Sequence, residues 1–100
     1  MKIWVVRQTS TYDQETFVTT HITEKGALIT AIETVREDMT SGFCEEELED
    51  YRPGMPHDPE DDLMAYDRKQ LQGIVQDWWE YAWDINDELQ YQIYETRVTA

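Results

Sequence analysis

Apolar residues recur along this chain with two different periods. Residues 3–9 (IWVVRQT) and 16–23 (TFVTTHIT) are rich in β-branched and aromatic types and predict two strands. Phe17, Val18 and Ile22 are the apolar members of the second. The polar run Ser10–Glu15 between them suits a hairpin loop. The period then changes. Ala27, Leu28, Ala31, Ile32, Val35 and Met39 follow one another at helical spacing and predict a helix over 24–39. Thr23 is placed to cap it, Glu24 favours its positive end, and Thr40-Ser41-Gly42 ends it.

The stretch 40–67 is too long for a structureless loop in a small domain. Two short helical turns are expected there. One runs from Phe43 to Tyr51, with Ser41 as a candidate cap and Phe43, Leu48 and Tyr51 as anchors. The other begins at Asp58-Pro59-Glu60-Asp61, with an N-cap type, a proline and acids in helix-start order. Residues 52–57 (RPGMPH) form the turn between them.

A second major helix is predicted over 68–86. On a 100° projection Leu71, Ile74, Val75, Trp78, Ala82 and Ile85 share the arc to be buried. Trp79 and Trp83 flank it, while Asp77, Glu80, Asp84 and Asp87 run in single file on the opposite arc. Asn86-Asp87 can turn the chain into a third strand, 89–98 (LQYQIYETRV). Leu89, Tyr91 and Ile93 then point one way, Tyr94 and Val98 the other. The expectation is one α+β domain over residues 1–100, in the order β-β-α-(short α)-α-β. A small antiparallel three-stranded sheet would carry two main helices packed on one face.

Composition changes the picture through charge. The 100 residues hold 22 acids and 8 Lys and Arg, a formal net charge of −14. Phosphate repels such a surface, which excludes direct binding to nucleic acid or anionic lipid. Twelve aromatic residues, four of them Trp, separate the chain from disordered acidic tails. The excess is localised. Residues 1–36 balance four acids with four bases, whereas residues 37–67 set twelve acids against Arg52 alone, a net of −11. An acidic composition serving only solubility would be spread more evenly.

Three acidic groups are therefore the candidate partner-binding residues. They are Glu45, Glu46, Glu47, Glu49 and Asp50; then Asp58, Glu60, Asp61 and Asp62; then the file Asp77, Glu80, Asp84 and Asp87. Helix neighbours three and four residues apart stand about 5–6 Å from each other. DNA carries one charge per roughly 3.4 Å of axis along each strand. A carboxylate row beside an acidic loop has the makings of a phosphate-like track. Each group also reads as an ordinary solvated or solubilising face.

Other chemistry finds less support. The cluster 57–62 (HDPEDD) lacks the ligand alternation and central Gly of a calcium loop and suits only weak, adventitious cation binding. Cys44 is the sole cysteine, so no internal disulfide forms, which fits a reducing cytoplasm. Three glutamates follow it, disfavour its thiolate and make a partly buried structural thiol the expectation. His21 reads as a structural strand residue. No phosphate-binding, dinucleotide, nucleophile-elbow or zinc-protease motif is present, so no catalytic residue, metal or cofactor is assigned. The apolar run 3–6 is too short for a signal peptide, and no segment has the length of a membrane span.

The acidic block 45–50, the acidic loop 58–62 and the file on the second helix together resemble anti-restriction and anti-CRISPR inhibitors of the DNA-mimic kind. These are small acidic phage and mobile-element proteins that block host-defence nucleases. The opening IWVV and closing YQIYETRV are similar to segments of small phage proteins. The resemblance implies a non-enzymatic inhibitor whose carboxylates occupy the basic, nucleic-acid-binding groove of a target. It implies nothing about fold. The other reading of the residues is an acidic interaction module without DNA mimicry, such as an immunity or adaptor protein. Such a module would dock through Trp79, Trp83 and the sheet edge.

Overall fold

The computed structural model describes residues 2–10, 16–40, 44–85 and 89–97, with the side chains of Ser10, Glu45 and Leu89 set apart from that description. Three antiparallel strands form one open sheet, β1 (Lys2–Ser10), β2 (Thr16–His21) and β3 (Leu89–Arg97), in the order β2-β1-β3. Helices α1 (Glu24–Thr40) and α3 (Arg68–Ile85) are the long ones. Between them lie the short α2 (Glu45–Tyr51) and two 3-10 turns, Arg52–Gly54 and Leu63–Ala65. The α+β order read from the sequence is the order of the fold. Residues 11–15 of the expected hairpin loop, Ser41 and Gly42 of the expected helix end, Phe43, the Asn86-Asp87 turn and Val98 lie outside the described residues.

Register explains how the sheet divides. Val6 stands opposite Ile93, and Gln8 opposite both Tyr91 and Phe17, so these side chains share one face. That face receives the helices. Val6 and Tyr91 join Leu28, Ile32 and Val35 of α1 and Leu71, Val75 and Trp78 of α3 in one core. Trp78 is fully buried and meets Tyr81 edge-to-face at 5.8 Å between ring centroids. The opposite face carries Val5, flanked by its Cα partners Thr20 and Tyr94. Val5 is only 5% exposed although it belongs to no part of that core.

Local chemistry sets the helix ends. Thr23 caps α1, its Oγ1 accepting from the Gly26 N–H at 3.1 Å. A Cβ at position 26 would stand 3.0 Å from that oxygen, so glycine leaves the cap room. Asp67 and Gln70 exchange two bonds at the start of α3. Asp67 Oδ1 accepts from the Gln70 N–H at 2.8 Å, and Gln70 Oε1 from the Asp67 N–H at 3.0 Å. This is a capping box. Glu24 ties the two starts together, accepting from Arg68 Nη1 at 3.1 Å and Gln72 Nε2 at 2.7 Å.

Two sequence expectations are corrected. Ile85 was placed on the buried arc of the second helix, yet it is 60% exposed. It is the last residue of α3, beyond Ala82, where buried contact ends. The helical turn expected to begin at Asp58 does not form there. Asp58 Oδ1 accepts from the Glu60 N–H at 2.9 Å and closes a local turn, the competing use of an Asp side chain. The helical turn comes later, at Leu63–Ala65, where Asp62 Oδ1 accepts from the Met64 N–H at 3.0 Å. No helix among the described residues is long and apolar enough to cross a membrane.

Candidate acidic docking surface

Three elements display the candidate acids. Helix α2 is a single short stretch whose Glu46, Glu47, Glu49 and Asp50 are exposed. The segment 55–62 follows, and α3 adds exposed Asp77, Glu80 and Asp84 along its outer face. Asp87 and the Glu45 side chain lie outside the described residues.

Two arginines hold the acidic segment in shape. Arg52 lies between α2 and the loop, 3.3 Å from Glu49, 3.7 Å from Asp58 and 3.4 Å from Glu60. One guanidinium thus gathers three carboxylates from separate turns of chain. Arg36, on α1, is 8% exposed and the one buried charged residue among those described. Its Nη2 donates to the main-chain carbonyls of Asp58 at 2.8 Å and Asp61 at 2.9 Å. Burial pulls its pKa down, and the nearby carboxylates of Asp61, Asp58, Glu33 and Glu60 oppose that shift. The carbonyl bonds and these carboxylates together offset part of the cost of burying the guanidinium. Asp61 also accepts from the Tyr66 hydroxyl, a bond that raises the tyrosine pKa.

His57 makes the link to α3. Its Nε2 lies 2.8 Å from Asp77 Oδ2. Asp77 of the helical file and the acidic loop therefore meet. Glu80 accepts from Gln76 Nε2 at 3.1 Å within the same helix. Among the described residues Glu46, Glu47, Asp50 and Asp84 have no ion pair or hydrogen bond through their side chains, and all four are exposed.

The sequence-read acids thus fall into two kinds. Glu49, Asp58, Glu60, Asp61, Asp62, Asp77 and Glu80 are engaged inside the molecule, while Glu46, Glu47, Asp50 and Asp84 are presented outward. The organising residues Arg36, Arg52 and His57 escaped sequence reasoning. Their only signal was that two of them are lone bases in or beside a run of acids.

Other expectations resolve differently. Cys44 is exposed, not partly buried, because it stands at the N-terminal edge of α2, outside any packed layer. Trp79, a suggested docking anchor, is turned inward. It stacks on Tyr91 with ring centroids 6.0 Å apart and planes 11° from parallel. Trp83 is 40% exposed and keeps a place on the surface. Among the described residues no three His, Cys, Asp or Glu side chains are placed to hold a metal ion, the 57–62 cluster included. A hollow of about 290 Å³ lined by Leu48, Glu49, Arg52 and Glu60 lies within the acidic surface. Comparison of the chain with family models, curated proteins and solved structures finds no match.

Proposed function

We propose that the chain is a non-enzymatic acidic inhibitor, acting in the cytoplasm. It would bind the basic, nucleic-acid-binding surface of a nuclease or CRISPR-type effector and block nucleic-acid access by charge mimicry. The observation that carries this reading is the junction of His57 with Asp77. It ties the loop to α3, while Arg52 ties Glu49 of α2 to Asp58 and Glu60 of the same loop. Arg52 and Arg36 support it further, since a track held at fixed spacing loses less entropy on binding than a mobile acidic tail. Association would be steered electrostatically, fast at low salt and slower as salt screens it.

Competition tests the proposal. The protein is added to a nuclease or effector bound to labelled DNA, and displacement is followed from low to high salt. The expected result is displacement at low salt that falls as salt rises and is lost on joint Glu46→Lys and Glu47→Lys substitution. DNA binding left unchanged across a panel of such targets overturns the reading.

Exposed Trp83 and Ile85 at the end of α3 favour the second reading, an immunity or adaptor module that docks without DNA mimicry. Under it, the same charge reversals leave partner binding nearly intact, and Trp83→Ala abolishes it.

A further inference from the structure

At the far side of α1 from the acidic loop lies a hollow of about 290 Å³ between α1 and β2. Gln8, Phe17, Thr19, Thr34, Glu37 and Asp38 line it. Asp38 follows Arg36 by two residues, about 200° around the helix, so the two face opposite ways.

Asp38 is held rigidly and left half-used. Its Oδ2 accepts from Gln8 Nε2 at 2.5 Å and from the Tyr91 hydroxyl at 2.8 Å. Tyr91 is itself fixed by its stack on Trp79. Among the described residues Oδ1 has no hydrogen-bond partner. Among the described residues no Lys, Arg or His pairs with this carboxylate, and the last turn of α1, where it sits, contains no base. A helix C-terminus favours cations, so two consecutive acids there are placed against the field. Burial, with Glu37 adding to it, pushes the Asp38 pKa up. Beside these groups the Phe17 ring is 63% exposed.

We infer that this hollow receives an arginine side chain presented by a basic partner protein, its guanidinium on Asp38 Oδ1 and its stem and plane against Phe17. Charge complementarity selects the occupant. A guanidinium supplies the missing cation, donates to the unused oxygen and packs on an aromatic ring, which a compact ammonium does less well. The inference shares with the proposed function a basic partner but uses none of the acids of that surface.

The test needs no partner. N-acetyl-arginine amide is titrated into the full chain and followed by amide NMR, with the citrulline analogue as its neutral isostere. The expected result is saturable shifts at Gln8, Thr34, Glu37 and Asp38, with a Kd of roughly millimolar. Citrulline should shift them about tenfold more weakly, as should the arginine ligand with Asp38→Asn, whose amide oxygen can keep the Gln8 and Tyr91 bonds. Phe17→Ala, at an exposed ring, should weaken binding about threefold and covers the case of an unfolded Asp38→Asn. Shifts equal for citrulline, insensitive to both substitutions, or confined to residues 46–62 and 77–84 overturn the inference. Persistence of the shifts in the Glu46→Lys, Glu47→Lys protein separates this site from the acidic surface.

Discussion

The outer helical flank and the open face of the sheet are built from the same 100 residues and differ in almost every physical respect. The flank carries carboxylates from α2, the 55–62 segment and α3, cross-tied by Arg36, Arg52 and His57. The open face shows Ile3, Val5, Arg7 and Thr9 with their cross-strand neighbours, and no acid among the described residues. The one acid in the described strands, Glu95, lies on the other face and pairs with Lys2 at 3.6 Å. A net charge of −14 is therefore a directed property of this molecule.

That contrast can be broken most forcefully at Arg36. Arg36→Ala leaves two loop carbonyls without their donor and removes a buried cation from among four acids. A loss of about 2–4 kcal/mol in urea unfolding is expected. Hydrogen exchange should quicken at 58–62 beyond what global unfolding explains, while β1 amides follow the global value. Equal loosening of both regions would mean that Arg36 serves the core and not the flank.

Arg52→Gln is the next step down. Its three ion pairs involve exposed carboxylates and are screened, so about 1 kcal/mol is expected, shrinking as salt rises. His57→Asn should cost about 0.5 kcal/mol and free the loop from Asp77. A weaker DNA competition in that variant, at nearly unchanged stability, would tie the junction to function.

Asp38 sharpens the comparison through pH. Its pKa in the folded chain lies above the unfolded value, so protonation favours the fold. That contribution is complete below about pH 4 and is lost as pH rises through the folded-state pKa. Asp38→Asn should therefore gain stability relative to the parent chain as pH rises across that window, read as a growing difference between urea midpoints. The smallest effect is expected on the open face. Arg7→Glu puts an acid where none stands and should change stability by less than about 0.5 kcal/mol. It should leave DNA competition intact if the flank alone engages the target.

Much of the fold was legible because local periodicity encodes it. The α1 face Ala27, Leu28, Ala31, Ile32 and Val35 is buried as its spacing demands, and Thr23 caps the helix as its hydroxyl allows. Five of the six residues on the buried arc of α3 hold their place. Ile85 does not, since a helical projection knows the direction of a side chain but not where the neighbouring layer stops. The acidic residues were legible as a located excess of charge. Their sorting into engaged and presented groups was not, because it depends on how the loop folds back on Arg52 and on Asp77 meeting His57 across 20 residues.

Alternating and helical spacing, a cap and a charge count are properties of neighbouring residues, and from them follow the element order, the strand faces and the position of the excess charge. The pairing of Asp38 with Gln8 and Tyr91 spans 30 and 53 residues. The grip of Arg36 on Asp58 and Asp61 spans 22 and 25. Contacts at that separation are made only when helices seat on the sheet and desolvate particular groups. Hence the strand and helix boundaries belong to the local chain. A half-buried carboxylate without a cation, and an acidic surface held by two arginines, belong to packing.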